Sequence, residues 1–226
     1  MNIIVTGANR GIGLGLVRHL AARGDAVIAA AREPFSADLC SLPVRAIALD
    51  ITSSDSVRDF GHALGDTPID ILFNVAGVYG KQDNLGSLAA DLELSDLAHT
   101  FQVNALGALR VALAALPNVR KGQAKKLAHV TSGMGSLADN KSGGSYGYRM
   151  SKAALNMMSV TLAVDLRAEG IASYVINPGW VQTDMGGASA PLTVTQSVEG
   201  IVREIERATF ADTGAFLNWN GHRYPW

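Results

Sequence analysis

The chain has 226 residues, enough for one large domain, with 19 basic and 20 acidic side chains and a formal charge of −1. That balance leaves no electrostatic footprint for nucleic acid or an anionic membrane surface, and neither is an expected partner. The single cysteine, Cys40, excludes an intramolecular disulfide and suits a reducing cytoplasm. No uncharged apolar run reaches the roughly 18 residues of a membrane span.

The chain opens on the apolar run Asn2 to Thr6, a predicted strand, with no basic stretch of a secretory leader before it. Ile12 to Arg23 follows with helical spacing. Ala26 to Ala31 and Val44 to Leu49 are further short apolar runs, and Cys40 falls between them in a loop-like stretch. Ser53 to Leu64 opens on a capping serine and carries apolar residues at helical spacing. Ile69 to Phe73 is β-branched and aromatic, and Leu92 to Leu116 is a long apolar helix ended by Pro117. The basic run Arg120, Lys121, Lys125 and Lys126 reads as a solvated loop. Lys126 to Thr131 is a strand, Gly147 to Ala168 a helix closed by Gly170, and Ile171 to Ile176 a strand stopped by Asn177-Pro178-Gly179. Val194 to Thr209 is an amphipathic helix and Ala215 to Trp219 a last strand.

This alternation predicts βαβ units. The expected fold is α/β: a doubly wound parallel sheet of the Rossmann type, with residues 1–226 as a single domain. Two of the helices are apolar nearly all round. Leu92 to Leu116 carries only Glu93, Asp96 and Arg110 as charges, and "AALNMMSVTLAV" within Gly147 to Ala168 carries none. A sheet covers one face of such a helix; a partner subunit or the interior of the same domain covers the other. The five histidines, His19, His62, His99, His129 and His222, are scattered, read as surface or capping residues, and predict no metal site.

"TGANRGIGLG" places Gly7, Gly11, Gly13 and Gly15 between the first strand and the first helix. Exposed backbone N–H groups and the helix dipole there favour a phosphate or pyrophosphate. The spacing G-x-x-x-G-x-G is neither G-x-G-x-x-G nor a P-loop. It resembles the cofactor motif of the short-chain dehydrogenase/reductase family, and the family's other marks follow in order. "LDI" at Leu49 to Ile51 resembles its adenine-contacting turn, and "NVAG" at Asn74 to Gly77 its N-N-A-G, with Val75 for the second asparagine. Asn104 lies in the long helix where the family keeps an asparagine. "HVTSGMGS" resembles the strand end with the catalytic serine, Ser132; "YRMSK" is the Y-x-x-x-K of Tyr148 and Lys152; "INPGWVQTD" resembles the P-G-x-x-x-T loop. The resemblance covers the whole chain and is nearest to the single-domain branch of C-signal and Sniffer-type carbonyl reductases. The chain reaches Trp226 without an added substrate domain, which disfavours an epimerase or dehydratase of the extended branch.

Tyr148 and Lys152 are four residues apart, so they share one helix face. A lysine cation beside a phenol favours the phenolate, and a tuned tyrosine exchanges a proton with a carbonyl or alcohol oxygen. The resemblance implies that Ser132 holds that oxygen and that Asn104 places Lys152 through a water. A nicotinamide carries the hydride. Tyr146 and Ser136 are the competing tyrosine and serine; Tyr146 has Met150, not a lysine, four residues on.

The resemblance implies cofactor contacts from Gly7, Asn9, Arg10, Gly11, Ile12, Gly13, Asp50, Ile51, Asn74, Ala76, Gly77, Pro178, Gly179, Val181 and Thr183, beside Tyr148 and Lys152. The second strand ends Ala29-Ala30-Ala31-Arg32, without the carboxylate that binds a ribose 2′-hydroxyl. Arg10 and Arg32 can instead clamp a 2′-phosphate, against Glu33, so NADP(H) is expected over NAD(H). The substrate pocket is expected between Tyr79, Met134, Trp180 and the loop Gln182 to Ala190. Two functions remain open: a cytoplasmic, homodimeric or homotetrameric carbonyl reductase or alcohol dehydrogenase for a small carbonyl or alcohol, and an NADP(H)-binding signalling protein on the same fold.

Overall fold

The computed structural model describes residues 1–81, 83–87 and 94–226. Seven strands form one wholly parallel sheet: β1 (Asn2–Thr6), β2 (Ala26–Ala31), β3 (Arg45–Ala48), β4 (Ile71–Asn74), β5 (Lys126–Val130), β6 (Ala172–Asn177) and β7 (Phe216–Asn218). Their order is β3-β2-β1-β4-β5-β6-β7. The chain winds outward from β1 to β3, returns to the middle, and winds the other way from β4 to β7. This is the doubly wound Rossmann-like fold the sequence predicts, and its crevice opens where the winding reverses, between β1 and β4.

Side-chain alternation explains why the sheet sits between two helical layers. Ile3, Val5, Val27, Ala29, Ile71 and Phe73 face α1 (Gly11–Ala22) and α7 (Val194–Arg207). Ile4, Ile28, Leu72 and Leu127 face α3 (Ser54–Leu64), α5 (Ala108–Lys121) and α6 (Tyr146–Asp165). With both faces buried the strands read as continuous apolar runs. Each fully buried Ile, Leu or Phe contributes about 1.5–3 kcal/mol over an exposed one. Gly15 lets α1 approach α7: a Cβ there would lie 2.4 Å from Val194 Cγ1.

Three expectations need correction. A helical turn α2 (Ala37–Cys40) was not legible as such, and Cys40 ends it, exposed. The long apolar helix is three pieces: α4 (Ser95–Phe101), a π-helical turn Gln102–Gly107, and α5; its predicted first residues, Leu92 and Glu93, lie outside the described residues. It does not stop at Pro117, which lies inside α5. A proline withholds one N–H from the carbonyl four residues back; that carbonyl belongs to Leu113, a residue 53% exposed on the outer side of the helix. The basic run is not a loop either. Arg120 and Lys121 end α5 and pair with Glu169 and Asp66, while Lys126 opens β5 and donates to the Ile205 and Glu206 carbonyls that end α7.

Candidate active site

Gly7 and Gly11 adopt φ of 63° and 54°, so the chain leaves β1 in a left-handed turn. A Cβ on Gly13 would lie 2.1 Å from the Gly7 carbonyl oxygen, so the first turn of α1 folds back onto the loop before it. No side chain caps α1 at Arg10, and its first N–H groups face a cleft of about 1050 Å³. The cleft runs along the carboxyl ends of the central strands. It is lined by every residue singled out above for cofactor or chemistry except Asn74 and Asn104. Arg10 reaches across its mouth to Asp184 at 3.4 Å, an exposed pair. Glu33 does not line it.

Asn74 lies beneath the site. Its Nδ2 donates to the Ala108 carbonyl at 3.0 Å and to His129 Nδ1 at 3.2 Å. Asn104 stands in the π-helical turn, a distortion that recurs at functional sites. Its Oδ1 accepts from Val78 N and its Nδ2 donates to Val78 O, both at 2.8 Å, and Nδ2 also donates to Ser151 Oγ at 3.0 Å. The Asn104 side chain therefore clamps the backbone after β4, and its Oδ1 and Lys152 Nζ both lie beside Gly77.

Ser132 lies two residues past β5, close enough to the Tyr148 hydroxyl to favour its phenolate. Tyr79 stacks on Tyr148 with centroids 4.6 Å apart. Lys152 lies 5.7 Å from the Tyr148 ring centre and donates to the Val130 carbonyl at 3.0 Å. Among the described residues no carboxylate pairs with it. Burial pushes this ammonium down to about 8. Burial likewise raises Tyr148 to about 12, opposed by Ser132 and reinforced by Tyr79. Lys152 is not among the causes of this shift; desolvation sets its direction, and the phenol is protonated at neutral pH. Ser136 and Tyr146 do not line the cleft.

Tyr79, Met134 and Trp180 line the end of the cleft near Ser132, as expected. Of the loop Gln182 to Ala190 only Thr183 to Gly186 does. Trp180 is 57% exposed and donates to the Gly186 carbonyl, so it is not core packing. Sequence reasoning missed Asp139, Arg149 and Tyr224 here.

Residues 1–191 match the model of the family described as short chain dehydrogenase. The chain belongs to that family. It is an oxidoreductase of the short-chain dehydrogenase type. The chain is 47% identical over 170 residues to the C-signal of Myxococcus xanthus, covering 75% of this chain and 100% of that one. It superposes on the carbonyl reductase Sniffer of D. melanogaster with a TM-score of 0.87 at 30% identity, over 100% and 99% of the two chains. An NADPH-bound carbonyl reductase from chicken fatty liver gives 0.88 at 30%, over 100% and 98%. These findings agree with the branch the sequence resembles.

His129 corrects one expectation: it is fully buried, not a surface or capping residue. The Ala108 carbonyl can only accept, which fixes the Asn74 amide nitrogen and makes His129 Nδ1 an acceptor. Its proton is then on Nε2, which has no partner among the described residues. Burial, with the Lys152 cation adding to it, pushes the imidazole from 6.5 down to about 3. Below pH 6.5 the unfolded chain takes up a proton here that the folded chain refuses. Stability should therefore fall as pH falls, by about 1.4 kcal/mol per pH unit, until the folded value is reached. Urea unfolding from about pH 6.5 to about pH 5 should reveal this slope in the wild type and a flatter one in His129→Gln. Equal slopes would exclude the histidine as its source.

Proposed function

We propose that residues 1–226 form one NADP(H)-binding domain that reduces a small carbonyl compound or oxidises the corresponding alcohol. The observation that carries this is the meeting of Ser132, Tyr148 and Lys152 in the cleft that the glycine turn opens. The cleft is large enough for a dinucleotide with a small substrate beside it. The donor set fits the cofactor: a start of α1 with no side-chain cap, glycines whose close backbone packing shapes the turn beneath the cleft, and a buried ammonium with one hydrogen bond from Nζ among the described residues. When bound, NADP(H) supplies or accepts the hydride. Ser132 holds the substrate oxygen, and the protonated Tyr148 delivers a proton to it as charge develops there. Lys152 holds the phenol and the nucleotide sugar by charge and hydrogen bonds. In oxidation Tyr148 takes the proton back.

A panel of quinones, ketones and aldehydes, with consumption of reduced nicotinamide followed for each, tests this reading. Tyr148→Phe should lower turnover by about 10²–10⁴-fold while NADPH still binds; retained turnover would remove Tyr148 from the chemistry. The similarity to C-signal favours a second reading, an NADP(H)-binding signalling protein. Tight NADPH binding with no consumption across the panel would select it.

Arg10 and Arg32 line the cleft, and β2 ends in Ala31 without a carboxylate, which supports NADP(H) over NAD(H). Among the described residues, a 2′-phosphate has the exposed Asp184 to displace from Arg10. Arg10→Ala should raise the KM for NADPH about tenfold or more and leave that for NADH within about twofold. A wild-type preference for NADH would refute the arginine reading.

On α6, Met150, Met157 and Val164 recur every seven residues at 49%, 67% and 60% exposure, and Leu113 of α5 is 53% exposed. This apolar stripe supports a homodimer, or a homotetramer containing it. Met157→Glu should shift a light-scattering mass toward the monomer; a monomeric wild type at micromolar concentration would end the proposal. We assign the protein to the cytoplasm, a setting supported by the exposed free thiol of Cys40. No helix among the described residues is long and apolar enough to cross a membrane.

A further inference from the structure

After β7 the chain doubles back toward the cleft. Arg223 bridges antiparallel to Leu217, Tyr224 N donates to the Phe216 carbonyl at 2.9 Å, and the Phe216 ring lies between those of Tyr224 and Trp226 at 4.9 and 5.2 Å. The segment is then stitched to the loop that follows Ser132. The Trp226 carbonyl accepts from Ala138 N at 2.8 Å and from Ser136 Oγ at 3.0 Å, and Ser136 Oγ accepts from Asp139 N at 3.1 Å. The Tyr224 hydroxyl donates to Asp139 Oδ2 at 2.7 Å.

This brings Tyr224 against the residue next to Ser132. A Cβ on Gly133 would lie 2.3 Å from the Tyr224 hydroxyl oxygen, so a side chain at 133 and the phenol cannot both occupy this place. Tyr224 and Asp139 line the same end of the cleft as Ser132, Met134 and Tyr79. Arg149 lies there too. Its Nε serves the Gly143 and Gly144 carbonyls and its Nη2 the Ser142 hydroxyl, so it is engaged in holding the loop. Main-chain bonds of Tyr224 and Trp226 hold the segment, and the Tyr224 ring, packed on Phe216 and tied to Asp139 by its hydroxyl, stands there as a fixed wall.

We propose that Tyr224 is a specificity-determining residue: Asp139 fixes its ring beside Ser132, where it packs against a planar group carried by the substrate. The proposal deepens the carbonyl-reductase reading and rests on it. A ring face held at that position rewards aromatic or conjugated substrates over small aliphatic ones.

Calorimetric binding of naphthol, a planar alcohol that is not reduced, to the NADP⁺-saturated protein reads the wall without turnover. Wild type should bind it, Tyr224→Ala about tenfold more weakly, and Tyr224→Phe within about threefold of wild type because the ring remains. NADPH affinity should move less than about twofold in both variants. The ratio of kcat/KM for an aromatic ketone over acetone should fall about tenfold in Tyr224→Ala. Undiminished naphthol binding in Tyr224→Ala, no binding by wild type, or a matching loss of NADPH affinity would each overturn the proposal. A wild type that binds naphthol but reduces no carbonyl sinks the reductase reading instead, and the naphthol series still decides the wall.

Discussion

Two hydrogen bonds to one hydroxyl hold the site open. Thr6 Oγ1, at the end of β1, accepts from Val75 N at 2.9 Å and Ala76 N at 3.1 Å, just past β4. They tie together the two strands between which the winding reverses. The fit is close enough that a Cβ on Gly7 would lie 2.8 Å from Ala76 Cα. Once Val75 and Ala76 are placed, so are Gly77 and Val78, and Asn104 grips Val78 by both backbone groups. Asn104 also donates to Ser151, which donates to the Tyr148 carbonyl at 2.8 Å. A continuous chain of hydrogen bonds thus runs from the glycine turn to the helix of Tyr148 and Lys152. The π-helical turn has a local reason in this chain: the wider turn carries Asn104 and lets its amide meet the loop.

The electrostatics beneath the cleft follow from the same packing. Lys152 is 5% exposed and lacks a paired carboxylate among the described residues, which destabilises the ammonium. His129 is buried nearby and is kept neutral partly by that cation. Its Nε2 has no partner among the described residues, which adds to the cost of burying the ring. The cleft floor thus carries one uncompensated positive charge. Loss of the Tyr148 proton, or an electron-rich ligand in the cleft, relieves it.

What the sequence revealed follows the range over which each feature is determined. The glycine turn, the strand runs and the Tyr148–Lys152 pair depend on neighbours within one turn or one strand, and each lies where its spacing predicts. Thr6 was legible only as a strand end, because its double acceptance needs β4 beside it. Asn74 sits in a motif associated with the cofactor, yet it points below the cleft, a direction that spacing cannot reveal. His129 read as ordinary for the same reason: nothing local says that β5 buries it. Pro117 was over-read as a stop, since the rule concerns a hydrogen bond whose loss depends on which side of the helix meets solvent. Tyr224 had no signal except "GHRYPW" after the last strand, since its neighbours Gly133 and Asp139 are remote in sequence.

The buried charge also bears on the choice between an enzyme and a binding protein. A cleft that only retains a nucleotide can do so with backbone N–H groups and arginines at its rim, which sit in solvent and cost little. Burying Lys152 under Tyr148 opposes folding, and burying the phenol up to about 12 adds nothing to phosphate recognition. Both arrangements make sense if a proton must move at a defined oxygen in a site that excludes water. Strain of this kind concentrates where chemistry is done. The glycine turn is common to both readings, so the distinction rests on the lower half of the cleft. There, each destabilising feature bears on the proton of Tyr148.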